Sequence, residues 1–205
     1  MRARVTAAAR RAGWRRTSRT AVPSGLSISA PGRSARSILR VNRVAIYNAQ
    51  VMPIFDLPNE AATAALAGRI AARARIGDVI ALRGDLGAGK TSFARAFIRA
   101  CGNADEEVPS PTFTLVQIYE AGAAAIWHFD LYRLRTAQEA WELGIEEAFA
   151  AGISLIEWPE RLGSSLPQRR LEVSLAFGEC PRARRATCTG GAEWRARLAE
   201  IAADA

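Results

Sequence analysis

Lysine is almost missing from this chain: among 205 residues there are 27 arginines and one lysine, Lys90. Histidine also occurs once, at His128, and the only methionine after Met1 is Met52. The three cysteines, Cys101, Cys180 and Cys188, are odd in number and lack Cys-x-x-Cys spacing. That argues against both a disulfide framework and a structural zinc site, so free thiols in a reducing compartment are expected. No apolar run approaches the roughly 18 to 20 residues of a membrane span, which excludes a transmembrane helix. Acidic residues are absent from positions 1–51, which carry eleven arginines; the chain's net charge is +8, so without that +11 residues 52–205 stand at −3. The basic excess therefore belongs to one end, and a nucleic-acid-binding surface spread over the folded part is not expected.

The leader, residues 1–51, is rich in Arg, Ala and Ser and has little sustained apolar period, so it lacks the burial needed to offset ordering entropy. It is expected to be disordered. Translation starting at Met52 is the first reading of it; an organellar targeting segment and a phosphate-gripping basic arm are the alternatives. Residues 52–205 are expected to form one domain.

Within that domain, Leu66 and Ile70 share a helical face behind a capping Asn59 and before Gly77, which predicts a helix over 59–75. Residues 78–82 read as a short buried strand, followed by a glycine-rich turn and a helix over 90–100 closed by Gly102. Residues 114–120 and 125–129 read as a hairpin about Gly122, and 153–156 as another apolar strand. A capping box formed by Thr136 and Glu139 predicts a helix ending near Gly144. Residues 171–177 and 184–189 form a second expected hairpin, and a last amphipathic helix presents Trp194, Leu198 and Ile201 on one face. Strands alternating with helices, plus two hairpins, indicate an α/β fold with a mixed sheet.

The stretch Gly84-Asp85-Leu86-Gly87-Ala88-Gly89-Lys90-Thr91 matches G-x-x-x-x-G-K-[ST], after a strand and opening a helix. The glycines let successive N–H groups point inward as an anion nest, and the helix N-terminus adds its positive end. Lys90 is expected to reach the β- and γ-phosphates of a nucleotide, and the Thr91 hydroxyl to ligate Mg²⁺. That the one lysine falls here is itself informative, because an ammonium is a compact point charge whereas guanidinium is a wide planar fork. A guanine-reading Asn-Lys-x-Asp motif would need a second lysine, so ATP is favoured by elimination. The fold expected is a three-layer P-loop-NTPase-like sandwich around a mixed central sheet.

Such an enzyme also needs carboxylates at strand ends facing the loop. Asp130 closes the run Ala125-Ile126-Trp127-His128-Phe129, and Glu157 closes Ile153-Ser154-Leu155-Ile156. Either could hold Mg²⁺, directly or through water, or orient an attacking water, and the residues alone leave that division open. Thr112, in the hydroxyl-rich loop Ser110-Pro111-Thr112-Phe113-Thr114, is the candidate γ-phosphate sensor. His128 reads as a packed or hydrogen-bonded strand histidine rather than a proton shuttle, and Trp158 as a cover for the site or a core residue.

The strings GDLGAGKTS, VPSPTFTLVQIYE, WHFDLYRL, ELGIEEAF and LIEWPERL, in this order, closely resemble the TsaE (YjeE) family over about residues 57–175. These are small ATPases needed for threonylcarbamoyladenosine modification of tRNA. The resemblance implies ATP phosphates held by Asp85, Leu86, Gly87, Ala88, Gly89, Lys90, Thr91 and Ser92, where the family often has threonine at this last position. It further implies Mg²⁺ on Thr91 and Glu157, Asp130 as the essential acid near the γ-phosphate with Lys90 and Thr112 beside it, and Leu57 and Thr63 at the adenine end. It implies as partners the threonylcarbamoyl transferase subunit and its companion, of TsaD and TsaB type, with tRNA reached only through them and no membrane. A cytoplasmic protein is implied, with organellar import if residues 1–51 are genuine.

Three functions follow for consideration: a slow, partner-coupled Mg²⁺-dependent ATPase that resets the transferase complex; a module whose ATP occupancy alone assembles that complex; and a small-molecule kinase. For the kinase, Arg133 and Arg135 are the candidate basic residues, but no lid insertion is visible.

Overall fold

The computed structural model describes residues 40–47, 50–122 and 124–204. In chain order the elements are β1 (Arg40–Tyr47), β2 (Gln50–Leu57), α1 (Glu60–Ala71), β3 (Val79–Arg83), α2 (Lys90–Cys101), β4 (Val116–Ala121), β5 (Ala124–Asp130), α3 (Glu139–Glu142), α4 (Ile145–Ala151), β6 (Gly152–Glu157), a 3₁₀ segment (Pro159–Ser165), β7 (Leu171–Phe177), β8 (Arg184–Gly190) and α5 (Ala192–Ala203). The strands form one eight-stranded sheet in the order β1-β2-β8-β7-β3-β6-β5-β4. Its centre is parallel, β7, β3, β6 and β5, and its flanks are antiparallel. The mixed sheet expected from the two hairpin signals is thus observed: β4 turns into β5, and β7 into β8.

Helices cover both faces, which makes the three layers. One core contains Leu66 and Ile70 of α1, Phe93 and Phe97 of α2, and Trp194, Leu198 and Ile201 of α5, packed on Ile80, Leu82, Ile126, Ile153 and Leu155 of the sheet. The other contains Ala140 of α3, Ile145 and Ala148 of α4 and Leu162, packed on Val79, Phe129 and Ile156. The β3 run is buried from Val79 through Leu82 because a central parallel strand is covered on both sides. Among the described residues no helix is long and apolar enough to cross a membrane.

Three expectations are corrected. The leader was expected to be structureless through residue 51, yet its end is in the sheet: Arg40–Tyr47 pairs antiparallel with Gln50–Leu57, so the boundary drawn at 51/52 falls inside β2. The signal was the β-branched content, Val41, Val44 and Ile46, outweighed by the surrounding arginines. Residues 1–39 and 48–49, where the rest of that expectation falls, lie outside the described residues. The capping box does not form: the Thr136 hydroxyl donates to the Glu139 carboxylate at 3.3 Å rather than accepting a backbone N–H, and α3 is a single turn. The chain then passes Gly144 and opens α4, a helix the sequence reading did not separate. Asn59, by contrast, caps α1 as expected, its side-chain oxygen accepting from the Ala62 N–H at 3.0 Å.

Candidate functional site

Parallel pairing brings the chemistry together at the carboxyl ends of three adjacent strands. In register, Leu82 of β3 faces Glu157 of β6, and Glu157 faces Asp130 of β5. That end of an open α/β sheet is where ligands bind. Strand period fixes the side: Ile126, His128 and Asp130 alternate along β5, as do Ile153, Leu155 and Glu157 along β6. Since Ile126, Ile153 and Leu155 belong to the core beneath α2, the polar members of each series face α2 and the phosphate loop.

The loop between β3 and α2 turns on positive φ at Gly84 (135°) and Gly89 (102°). Gly84 has no room for a side chain, because a Cβ there would lie 2.3 Å from the Leu175 carbonyl oxygen. Gly89 is the N-cap of α2, so the loop ends on the N–H groups of that helix. From β8, the Arg184 guanidinium braces the loop, donating to the carbonyls of Gly87 and Ala88 at 3.1 Å each.

Lys90 is only 4% exposed. Its ammonium donates to the carbonyls of Gly84 at 2.7 Å and Asp85 at 2.8 Å, and lies 3.8 Å from the centroid of the Trp158 ring. Burial pushes its pKa below the ordinary 10.5, against the pull of the Glu157 and Asp130 carboxylates and, further down, Glu160 and Asp85. Trp158 holds its ring there from a left-handed backbone (φ 60°), a conformation that costs a bulky residue about 1–3 kcal/mol. Its other neighbour is Tyr132, with ring centroids 4.9 Å apart.

Two polar clusters complete the site. The Thr91 hydroxyl donates to Glu157 Oε2 at 3.0 Å, and His128 Nε2 lies 2.9 Å from Glu157 Oε1. Beside them, Asp130 Oδ2 accepts from Ser110 at 3.0 Å and Thr112 at 2.8 Å, while Oδ1 accepts from the Tyr132 N–H at 3.1 Å. The loop carrying Thr112 is thereby tied to the end of β5.

A cavity of about 260 Å³ lies among these groups, lined by Leu86, Gly87, Gly89, Lys90, Thr91, Ser92, Ser110, Thr112, Asp130, Tyr132, Glu157 and Trp158. A second, of about 450 Å³, shares Gly89 and Ser92 with it and extends along Asn59, Thr63 and Arg184. Of the residues expected at the site, Leu86, Gly87, Gly89, Lys90, Thr91, Ser92, Thr112, Asp130 and Glu157 surround the first cavity, and Thr63 lines the second. Asp85 contributes its carbonyl to Lys90. Ala88 is buried, and so is Leu57, a core residue at the end of β2 that lines neither cavity. Sequence reasoning missed Tyr132 and Arg184, and it named Ser110 only as part of its loop. A polar residue two positions after Asp130 and an arginine opening β8 carry no motif of their own.

Magnesium is compatible with this donor set. Among the described residues no group of three or more His, Cys, Asp or Glu side chains is arranged to hold a metal. One hydroxyl and one carboxylate in contact is instead what a small hard cation uses when phosphate and water supply the other ligands. A triphosphate entering beside Asp130 and Glu157 would meet two carboxylates and one ammonium, and a divalent cation offsets that imbalance.

Comparison with known proteins bears on the family and the fold. The family model described as "Threonylcarbamoyl adenosine biosynthesis protein TsaE" matches residues 57–186. The chain is similar to the tRNA threonylcarbamoyladenosine biosynthesis protein TsaE of Rickettsia felis, at 42% identity over 119 residues, 58% of this chain and 70% of that protein. It is likewise similar to the protein of that name from Bacillus subtilis, at 41% over 116 residues, 56% of this chain and 72% of that protein. Among solved structures, Bacillus subtilis YdiB superposes with a TM-score of 0.64 at 31% identity, over 75% of this chain and 96% of that one.

Proposed function

This chain belongs to the TsaE family, and from that premise we propose that it is a Mg²⁺-dependent ATPase of slow intrinsic turnover serving the threonylcarbamoyladenosine modification of tRNA. Its hydrolysis is coupled to a transferase complex of TsaD and TsaB type, which it binds and resets between rounds; tRNA is held by those partners, in the cytoplasm. The observation that carries the reading is the buried Lys90 ammonium on the phosphate loop, one residue before a threonine hydroxyl bonded to Glu157.

Each residue then has a task. The N–H groups of the loop and the first turn of α2 form a nest for the phosphates. Lys90 exchanges its two loop carbonyls for phosphate oxygens, a short swing within the same cavity. Thr91 and Glu157 would hold Mg²⁺, which with ATP would supply charge neutralisation for the phosphates. Asp130 orients the attacking water once Thr112 turns from its carboxylate toward the γ-phosphate; the same bonds return the loop when that phosphate is gone. The cavity along Thr63, Asn59 and Arg184 takes the nucleoside end.

One observation favours the second reading, an assembly module gated by ATP occupancy alone: Asp130 already accepts three hydrogen bonds, which suits a loop latch as well as a water-orienting group. Repeated-turnover modification assays on Asp130→Asn separate the two. If hydrolysis resets the complex, the variant binds ATP and partner but stops after one round. Multiple rounds at the normal rate would overturn the ATPase reading in favour of the gate.

A further inference from the structure

His128 belongs to no part of the phosphate loop, the latch or the metal pair and lines neither cavity, yet it is fully buried, 0% exposed, against Glu157. It sits on β5 opposite Leu155 of β6, so Glu157 is its diagonal neighbour one pair further along the same face. From there Nε2 reaches Glu157 Oε1 at 2.9 Å, while the other carboxylate oxygen, Oε2, is taken by the Thr91 hydroxyl at 3.0 Å.

The direction of the bond follows from the partner. An ionised carboxylate only accepts, so the ring presents Nε2–H to it. Nδ1 is buried and, among the described residues, has no hydrogen-bond partner. The opposite tautomer would bury an orphaned Nδ1–H and set the Nε2 lone pair against the carboxylate, losing on both sides. A histidine retained for packing would gain by satisfying both nitrogens, or by being apolar like Ile126, its neighbour on the same strand face. This ring makes one bond, and that bond goes to the carboxylate that also contacts Thr91.

We infer that His128 is a positioning residue for the metal site: through Nε2–H it fixes the plane of the Glu157 carboxylate, so that Glu157 and the Thr91 oxygen meet a divalent cation already oriented. This rests on the proposed holding of Mg²⁺ by Thr91 and Glu157. Groups that hydrogen-bond a metal ligand from outside typically contribute about 10- to 100-fold to metal affinity. The bond should therefore govern affinity for the cation and leave affinity for metal-free nucleotide unchanged.

The test uses the full chain with Mn²⁺ as probe, its binding followed by electron paramagnetic resonance in the presence of a non-hydrolysable ATP analogue. Nucleotide affinity in chelator and the thermal midpoint are measured in parallel. His128→Leu keeps the volume and loses the donor; Mn²⁺ affinity should fall about 10- to 100-fold with nucleotide affinity in chelator within about twofold of the parent. His128→Gln puts an amide N–H at a reach similar to that of Nε2 and should recover most of the loss, whereas the shorter His128→Asn should not. If the leucine chain does not fold, the glutamine and asparagine pair carries the comparison. Unchanged Mn²⁺ affinity in the leucine variant, equal losses in the glutamine and asparagine variants, or a parallel loss of metal-free nucleotide binding would each overturn the inference. Failure of the parent protein itself to bind Mn²⁺ with the analogue would instead bring down the underlying assignment of Thr91 and Glu157.

Discussion

Replacing Lys90 by methionine or by arginine separates the charge from its shape. In the ligand-free protein the ammonium is only 4% exposed, donates to two carbonyls at 2.7 and 2.8 Å and faces the Trp158 ring. Methionine keeps the length of the stem. It forfeits two charge-assisted bonds of about 1.5–3 kcal/mol each, but it also removes the desolvation cost of a nearly buried ion, about the same in sum. The ligand-free fold should therefore shift by no more than about 2 kcal/mol. Nucleotide binding is different, because the ammonium exchanges neutral carbonyls for a charged phosphate. Unit charges about 4 Å apart at an effective dielectric of about 20 interact by about 4 kcal/mol. Against both the β- and γ-phosphates that is about 8 kcal/mol, of which giving up the two carbonyl bonds takes back about 3–6, leaving at least about 2 kcal/mol, a loss of at least about 30-fold in affinity for Lys90→Met. Lys90→Arg keeps the charge, but its planar fork is too wide for this enclosure and overpacks it by about 1–3 kcal/mol. Arginine should thus bind nucleotide as poorly as methionine while melting lower. Calorimetric titration with ATP and a thermal melt read both quantities. An arginine variant within about threefold of the parent in affinity, with an unchanged midpoint, would refute the claim that a compact charge is what this loop requires.

Other perturbations follow from the same geometry. Gly84→Ala drives a Cβ to 2.3 Å from the Leu175 carbonyl oxygen at a φ of 135°, and should destabilise the fold by about 3 kcal/mol, read as a lower urea midpoint. Arg197→Met removes the guanidinium that pairs with buried Asp78 and donates to the Arg73 carbonyl; a loss of about 3–5 kcal/mol with unchanged nucleotide affinity is expected, since neither residue lines either site cavity. Of the three thiols, exposed Cys180 should react first with a thiol reagent and Cys188 only on unfolding, checked by mass spectrometry of the labelled chain. Burial raises Cys101 from the ordinary 9.0 to about 11 and Cys188 to about 12, so above pH 9 the unfolded chain loses these protons before the folded one does. Their contribution to stability is accordingly complete below pH 9 and declines as the pH climbs toward 12, which denaturant titrations at pH 8 and pH 10 will detect.

How much of this was legible beforehand depended on whether a residue's task is local. The turn between β3 and α2 was readable in advance, because a glycine hinge and a helix start are built from consecutive residues. Asp130 and Glu157 were readable as strand-end carboxylates, since an apolar run that stops on an acid marks where the chain leaves the sheet. Their neighbours were not, because contact there is made by register. That Glu157 stands beside Asp130 and within reach of His128 follows from which strands pair and in what alignment. The same limit explains Arg184, which braces the loop from a strand about a hundred positions away in sequence, and α4, whose short helix is set by packing on Phe129 and Ile156 more than by its own caps. Leu57 marks the converse case: it lies within the matching family segment, yet its side chain is in the core. An influence of Leu57 on nucleotide binding would have to pass through the seating of α1, whose next turn presents Thr63 to the second cavity. Leu57→Ala should then lower stability by about 2–5 kcal/mol before it touches affinity, whereas Thr63→Val should do the reverse.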